Sequence, residues 1–121
     1  MADGKLTRID AWTKSDSKVL QLLASVLAQQ KRLRQAVAIL ECVREQDPEN
    51  AEALRALAAM HLELDRHEEA LEAADLALTH DPSRTHRAGL MLVRGHALWG
   101  LGREEEAIDA MRAFAQERRK T

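Results

Sequence analysis

Five histidines, one cysteine and two runs of carboxylates are the side chains in this 121-residue sequence that could bind a metal or move a proton. His61, His67, His80, His86 and His96 form neither an H-x3-H nor an HExxH spacing. Such spacings put two imidazoles on one helix face, where they can share a zinc ion. Cys42 has no CxxC partner and stands beside Ile39 and Val43 in an apolar stripe; a buried structural thiol is expected there, not a nucleophile. Gly95, Gly100 and Gly102 fall at helix-packing and helix-end positions, so they make no phosphate-cradling loop. Glu68-Glu69 and Glu104-Glu105-Glu106 open predicted helices, where carboxylates complement the positive end of the helix dipole. A solvated, stabilising role fits them better than metal binding. Arg118-Arg119-Lys120 complements the negative end of the last helix in the same way. The expectation is no catalytic residue, no metal and no cofactor: the chain does not read as an enzyme.

Elements that leave so little room for chemistry must serve another purpose, and composition indicates their type. Hydrophobic residues make up 45%, but aromatics only 2%: Trp12, Trp99 and Phe114, with no tyrosine. Ala and Leu carry the apolar content, and these are the strongest helix formers. A sandwich of strands would want β-branched and aromatic residues. Eighteen basic residues against twenty acidic ones leave a net charge of −2, without the basic excess that nucleic-acid binding requires. One cysteine cannot form an internal disulfide, which fits a reducing compartment. No apolar run approaches a membrane span, and residues 1–10 are polar, unlike a signal peptide. A cytoplasmic protein is expected.

Asp47-Pro48 and Asp81-Pro82 stand 34 residues apart. Proline ends a helix and disfavours helical geometry in the residue before it. Asp followed by Pro also suits an N-cap and first helical position, so each dipeptide marks a boundary between helices. Laid on this period, residues 17–50 and 51–84 are identical at seven of 34 positions, among them Leu20/Leu54, Leu23/Leu57, Ala24/Ala58 and Ala36/Ala70. A third unit follows at a shift of 37: six of the ten residues 64–73 recur in 101–110. Here Gly95 takes the small position of the first helix and Ala107 that of the second, with Met111 and Phe114 later in the second. The three extra residues fall within 83–89, either as a longer loop or as an added helical turn capped by Asp81.

In period, small residues and prolines, the chain resembles tetratricopeptide (TPR) repeat proteins from about Ser17 to Arg118. It lacks the usual Trp and Tyr of the first helix and a terminal proline in the third unit. The resemblance implies an all-α, TPR-like solenoid of three helix-turn-helix repeats, at about 17–50, 51–84 and 88–121, in one domain over 17–121. Helices are expected near 18–30, 33–46, 51–64, 67–79, 86–100 and 103–118. Stacked pairs bury together what no pair can bury alone. Residues 1–16 form an N-terminal extension in which Leu6, Ile9 and Trp12 recur every three residues. It reads as a short cap or frayed tail, or as an arm docking on the groove or on a second copy. Ser15, Asp16 or Ser17 could cap the first repeat helix.

TPR arrays hold peptides or helices on the concave face lined by the first helix of each repeat. By position, the resemblance assigns to that face Lys18, Gln21, Leu22, Ser25 and Ala28 in unit one. Unit two supplies Glu52, Arg55, Ala56, Ala59 and Leu62; unit three supplies Leu92, Val93, His96 and Trp99. The mixture of apolar, small and a few polar residues suits apolar anchors of a bound segment. Trp99 reads either as a binding hot spot or as core beneath the last helix. TPRs that clamp a peptide's terminal carboxylate use Lys, Asn and Arg at positions occupied here by Gln21, Ser25, Ala56, Gly89 and Val93, so that subtype is not expected. In length and repeat layout the chain resembles the small TPR chaperones of bacterial type III secretion, the YscY type among them. Such a chaperone would hold an export-apparatus or translocator subunit in the cytoplasm. The alternatives are a self-associating TPR scaffold, possible as a homodimer, and a regulatory adaptor. Neither nucleic acid nor membrane insertion is implied.

Overall fold

The computed structural model describes residues 11–81 and 83–120. Among these residues there are six helices and no strand: α1 Lys14–Gln29, α2 Leu33–Gln46, α3 Ala51–Glu63, α4 His67–His80, α5 Arg84–Gly100 and α6 Glu104–Arg119. The chain divides into two compact units, Met1–Pro48 and Glu49–Thr121. In the first, α1 packs on α2. In the second, α3 packs on α4, α4 on α5 and α5 on α6, and α3 also touches α5. The all-α expectation holds, and five helices start within two residues of their predicted positions.

The exception is α1, which begins four residues early. Thr13, not Ser15, Asp16 or Ser17, is its N-cap. The Thr13 hydroxyl accepts the Asp16 backbone N–H at 3.1 Å, and the Asp16 carboxylate accepts the Thr13 N–H at 2.9 Å. This reciprocal box satisfies two donors that the first turn leaves unpaired. Ser17, one turn on, is buried at 2% exposure, and Trp12 Nε1 donates to its hydroxyl at 2.6 Å. That hydroxyl in turn donates to Asp47 at 3.4 Å. The Leu6 and Ile9 positions of the proposed N-terminal stripe lie outside the described residues.

The two Asp-Pro steps do separate helices, but not as N-caps. Asp47 and Asp81 close α2 and α4, and the caps of the following helices are Asn50 and Ser83. The chain needs a few extended residues to reverse direction before a new helix can start. Asn50 accepts the Ala53 N–H at 3.1 Å and Ser83 the Thr85 N–H at 3.2 Å. The three extra residues of the third repeat become an added helical turn, so α5 runs 17 residues and is capped by Ser83, not Asp81.

Within each repeat the turn between helices is the same device. Lys31, Asp65 and Gly102 have φ of 63°, 58° and 76°. The next residue, Arg32, Arg66 or Arg103, donates its N–H back to Leu27, His61 or Leu98 at 2.8–3.0 Å. This left-handed C-terminal motif satisfies carbonyls that the helix end would leave free. The small residues sit where the repeat requires: Ala24, Ala58 and Gly95 in the first helices and Ala36, Ala70 and Ala107 in the second are all buried. Cys42 is exposed, which corrects the expectation of a buried thiol. The buried stripe of α2 is Ala36, Val37, Leu40 and Val43; Cys42 lies two residues past Leu40, about 200° round the helix.

Candidate functional site

In the second unit the assigned residues form two strips at helical spacing. On α3, Glu52 and Ala59 are exposed, and Arg55, Ala56 and Leu62 are half-buried. On α5, Leu92 and Val93 are half-buried, and His96 and Trp99 are exposed. Positions three and four apart share a helix face, and α3 touches α5, so the fold brings the two helices carrying these strips together. Trp99 is 58% exposed, which removes the core alternative for it. In the first unit Lys18, Leu22 and Ser25 on α1 are exposed, and Gln21 and Ala28 are half-buried.

Arg55 has a structural partner that the sequence did not announce. Its guanidinium donates to Asp81 at 2.8 Å. The same carboxylate accepts the Ser83 backbone N–H at 2.8 Å, and His86 Nδ1 stands 3.3 Å away. The Ser83 hydrogen bond, and after it the Arg55 charge, hold the Asp81 carboxyl below its ordinary value against the opposing effect of burial. One side chain thereby ties α3, the turn after α4 and the first turn of α5 together. The signal available beforehand was Asp81 before Pro82, read as a cap.

Two surface hollows share no residue with the strips. One, of about 400 Å³, is lined by Glu68, Leu71, Glu72, Asp75, Leu101 and Arg103. The other, of about 190 Å³, is lined by Leu78, Arg87, Met91, Arg94, Ala110 and Ala113. Its two cations are engaged: Arg94 with Asp75 at 2.7 Å and Arg87 with Glu117 at 3.7 Å. Among the described residues there is no group of three His, Cys, Asp or Glu placed to hold a metal. No helix among them is long and apolar enough to cross a membrane.

What this arrangement offers is a surface of small and apolar side chains on touching helices, with a tryptophan at one end. Comparison with known proteins bears on the fold that carries this surface. No curated protein matches the sequence. Among solved structures, the chain is similar to MamA of strain AMB-1, at 23% identity and a TM-score of 0.77, over 88% of this chain and 61% of that one. It therefore spans less than two thirds of that relative. The TPR domain of Arabidopsis OM64 is 23% identical with a TM-score of 0.76, covering 87% and 84% of the two chains. The first TPR of Spaghetti (RPAP3), solved with the HSP90 peptide SRMEEVD, is 17% identical with a TM-score of 0.78, covering 93% and 86%. At these identities the likeness is one of fold. Family models described as tetratricopeptide repeat match residues 22–85 and 88–120. The chain belongs to the tetratricopeptide repeat family, a protein–protein interaction scaffold.

Proposed function

We propose that this chain is a dedicated chaperone or adaptor that holds a peptide or helical segment of one partner protein on the exposed faces of α3 and α5. The observation that carries this reading is the accessible strip of α3 and α5: Ala59, His96 and a 58% exposed Trp99 beside half-buried Ala56, Leu62, Leu92 and Val93. Aromatic anchors in shallow apolar surroundings dominate binding energy in interfaces of this kind. Arg55, the strip's cation, is held by Asp81, so the apolar members of the strip are expected to carry most of the contact.

The finer reading is a cytoplasmic chaperone for a type III secretion export subunit, and it rests on the sequence resemblance to that group. A clamp for a peptide's terminal carboxylate is disfavoured: Gln21, Ser25, Ala56, Gly89 and Val93 place no cation at the clamp positions.

The test is purification of the tagged chain from its host, followed by mass spectrometry, comparing wild type with Ala59→Glu plus Trp99→Ala. Both sites are exposed, so the fold survives. One stoichiometric protein that is lost in the variant supports the strip as the binding face. Retention of that protein by the variant overturns it. A secretion-system subunit as the protein that co-purifies with wild type would support the finer reading, and any other would refute it.

A further inference from the structure

Among the described residues, four of the six exposed large hydrophobic side chains lie on α1. Val19 is 66% exposed, Leu22 69%, and Leu23 and Val26 44% each. These residues stand at i, i+3, i+4 and i+7 and form one stripe. The third repeat shows what the fold does with such positions. There Val19 and Val26 correspond to Leu90 and Ala97, which are 4% and 0% exposed on α5, a helix packed against α4 of the preceding repeat. Leu23 corresponds to Arg94, which reaches across to Asp75 on α4 at 2.7 Å. Val19 and Val26 thus occupy positions that the third repeat buries, while the counterpart of Leu22, Val93, is half-buried there. The stripe on α1 also lacks charge: from Val19 to Gln30 no residue is charged, in a chain where charged residues make up 31%. Depletion of charge marks the centre of a protein interface and not a solvated helix face.

The order of residues says what fits there. Val19-x-x-Leu22-Leu23-x-x-Val26 reads the same in both directions. A two-fold axis passing between Leu22 and Leu23 makes two α1 helices antiparallel. Val19 then meets Val26 of the second copy and Leu22 meets Leu23. In the same register Asp16 faces Gln29 and Ser15 faces Gln30, leaving two like-charged contacts, Lys14 with Lys31 at each solvated end. A parallel arrangement would instead stack Asp16 on Asp16 and Lys18 on Lys18. A face that is its own complement under a two-fold axis is what an isologous dimer requires.

We propose that the chain forms a two-fold homodimer through an antiparallel α1–α1 contact centred on Leu22 and Leu23. This surface is distinct from the α3–α5 strip, and neither reading depends on the other. Leu22 also belongs to the assigned binding face of α1, so the test avoids it.

The test is sedimentation velocity of the full chain from low micromolar to high micromolar concentration, with circular dichroism to confirm folding. Wild type should show a reversible monomer–dimer equilibrium. Val19→Lys and Val26→Glu, each of which sets an unpaired charge against valine, should weaken it about tenfold or more. The double variant Val19→Lys/Val26→Glu should recover dimerisation, because antiparallel pairing places each new lysine against a new glutamate. A wild type that stays monomeric throughout overturns the proposal. So does a double variant weaker than either single one. A chain that dimerises only once residues 1–10 are removed would also overturn it, by making the N-terminal segment the occupant.

Discussion

At the scale of single residues, three equivalent turns use three different side chains for one backbone shape. Lys31 and Asp65 hold positive φ, where Gly102 is the unstrained choice. An L-residue pays about 1 kcal/mol for this geometry, and Asp tolerates it better than Lys. Lys31→Gly should therefore raise stability by about 1 kcal/mol, Asp65→Gly by less, and Gly102→Ala should lower it by a similar amount; urea melts followed by circular dichroism would read all three. Asp81 carries a different kind of prediction. Its carboxyl is held below the ordinary range by the Ser83 N–H and then Arg55, so its ionised form is favoured by folding. That stabilisation is present above the usual carboxylate pKa of about 4 and is lost as pH falls through the depressed value. Asp81→Asn should melt lower than wild type at neutral pH, with the difference shrinking in acid. A difference that does not change with pH would show that the carboxylate's charge plays no part.

Helix α5 carries glycines with opposite roles, and the difference is only visible at the level of the element. Gly89 lies inside the helix with nothing near its missing side chain. Gly89→Ala should stabilise by about 0.5–1 kcal/mol through reduced backbone entropy in the unfolded chain. At Gly95 an added methyl would meet the end of the Met111 side chain at 2.9 Å, and a flexible thioether can move aside. At Gly100 it would run into the ring of His67 at the start of α4. Gly100→Ala should therefore cost about 1–3 kcal/mol by overpacking, despite the better helix propensity of alanine. Thermal melts of Gly89→Ala and Gly100→Ala should shift in opposite directions. The rule that alanine improves a helix is overridden wherever a neighbouring element occupies the space.

For the molecule as a whole, the core is built from alanines supported by a few leucines. In the second unit Leu98, with no exposure, packs with Ala107, Ala110 and Leu71 and links α4, α5 and α6. Its buried partners Ala107 and Ala110 are too small to fill the space a shorter side chain would leave. Leu98→Ala should cost about 2–5 kcal/mol, the range for a leucine-sized cavity, measured by chemical denaturation. The α3–α5 strip contributes little to that core. Trp99→Ala should leave stability within about 0.5 kcal/mol and change only partner binding.

The helix count, the boundaries of five helices and the small buried positions were all legible in the sequence, because they depend on local rules repeated three times. Spacing of alanines, proline steps and acidic first turns each constrain a few neighbouring residues, and repetition makes them readable. What the sequence misassigned depends on contacts distant in the chain or on the angle round a helix. Thr13 was missed as the cap of α1 because the signal, Thr followed three residues later by Asp, stands inside a segment set apart as an extension. Cys42 was placed inside because its apolar neighbours were counted along the chain, whereas burial is set by rotation about the helix. The Asp81 hub joins residues 26 apart (Arg55) and two apart (Ser83), and no periodicity records such a convergence. Whether Trp99 faces the core or the solvent, and whether Val19, Leu23 and Val26 are covered, could be decided only in three dimensions. Val19 and Val26 stand 66% and 44% exposed, whereas their third-repeat counterparts Leu90 and Ala97 are 4% and 0% exposed, a difference that repeat position alone does not encode.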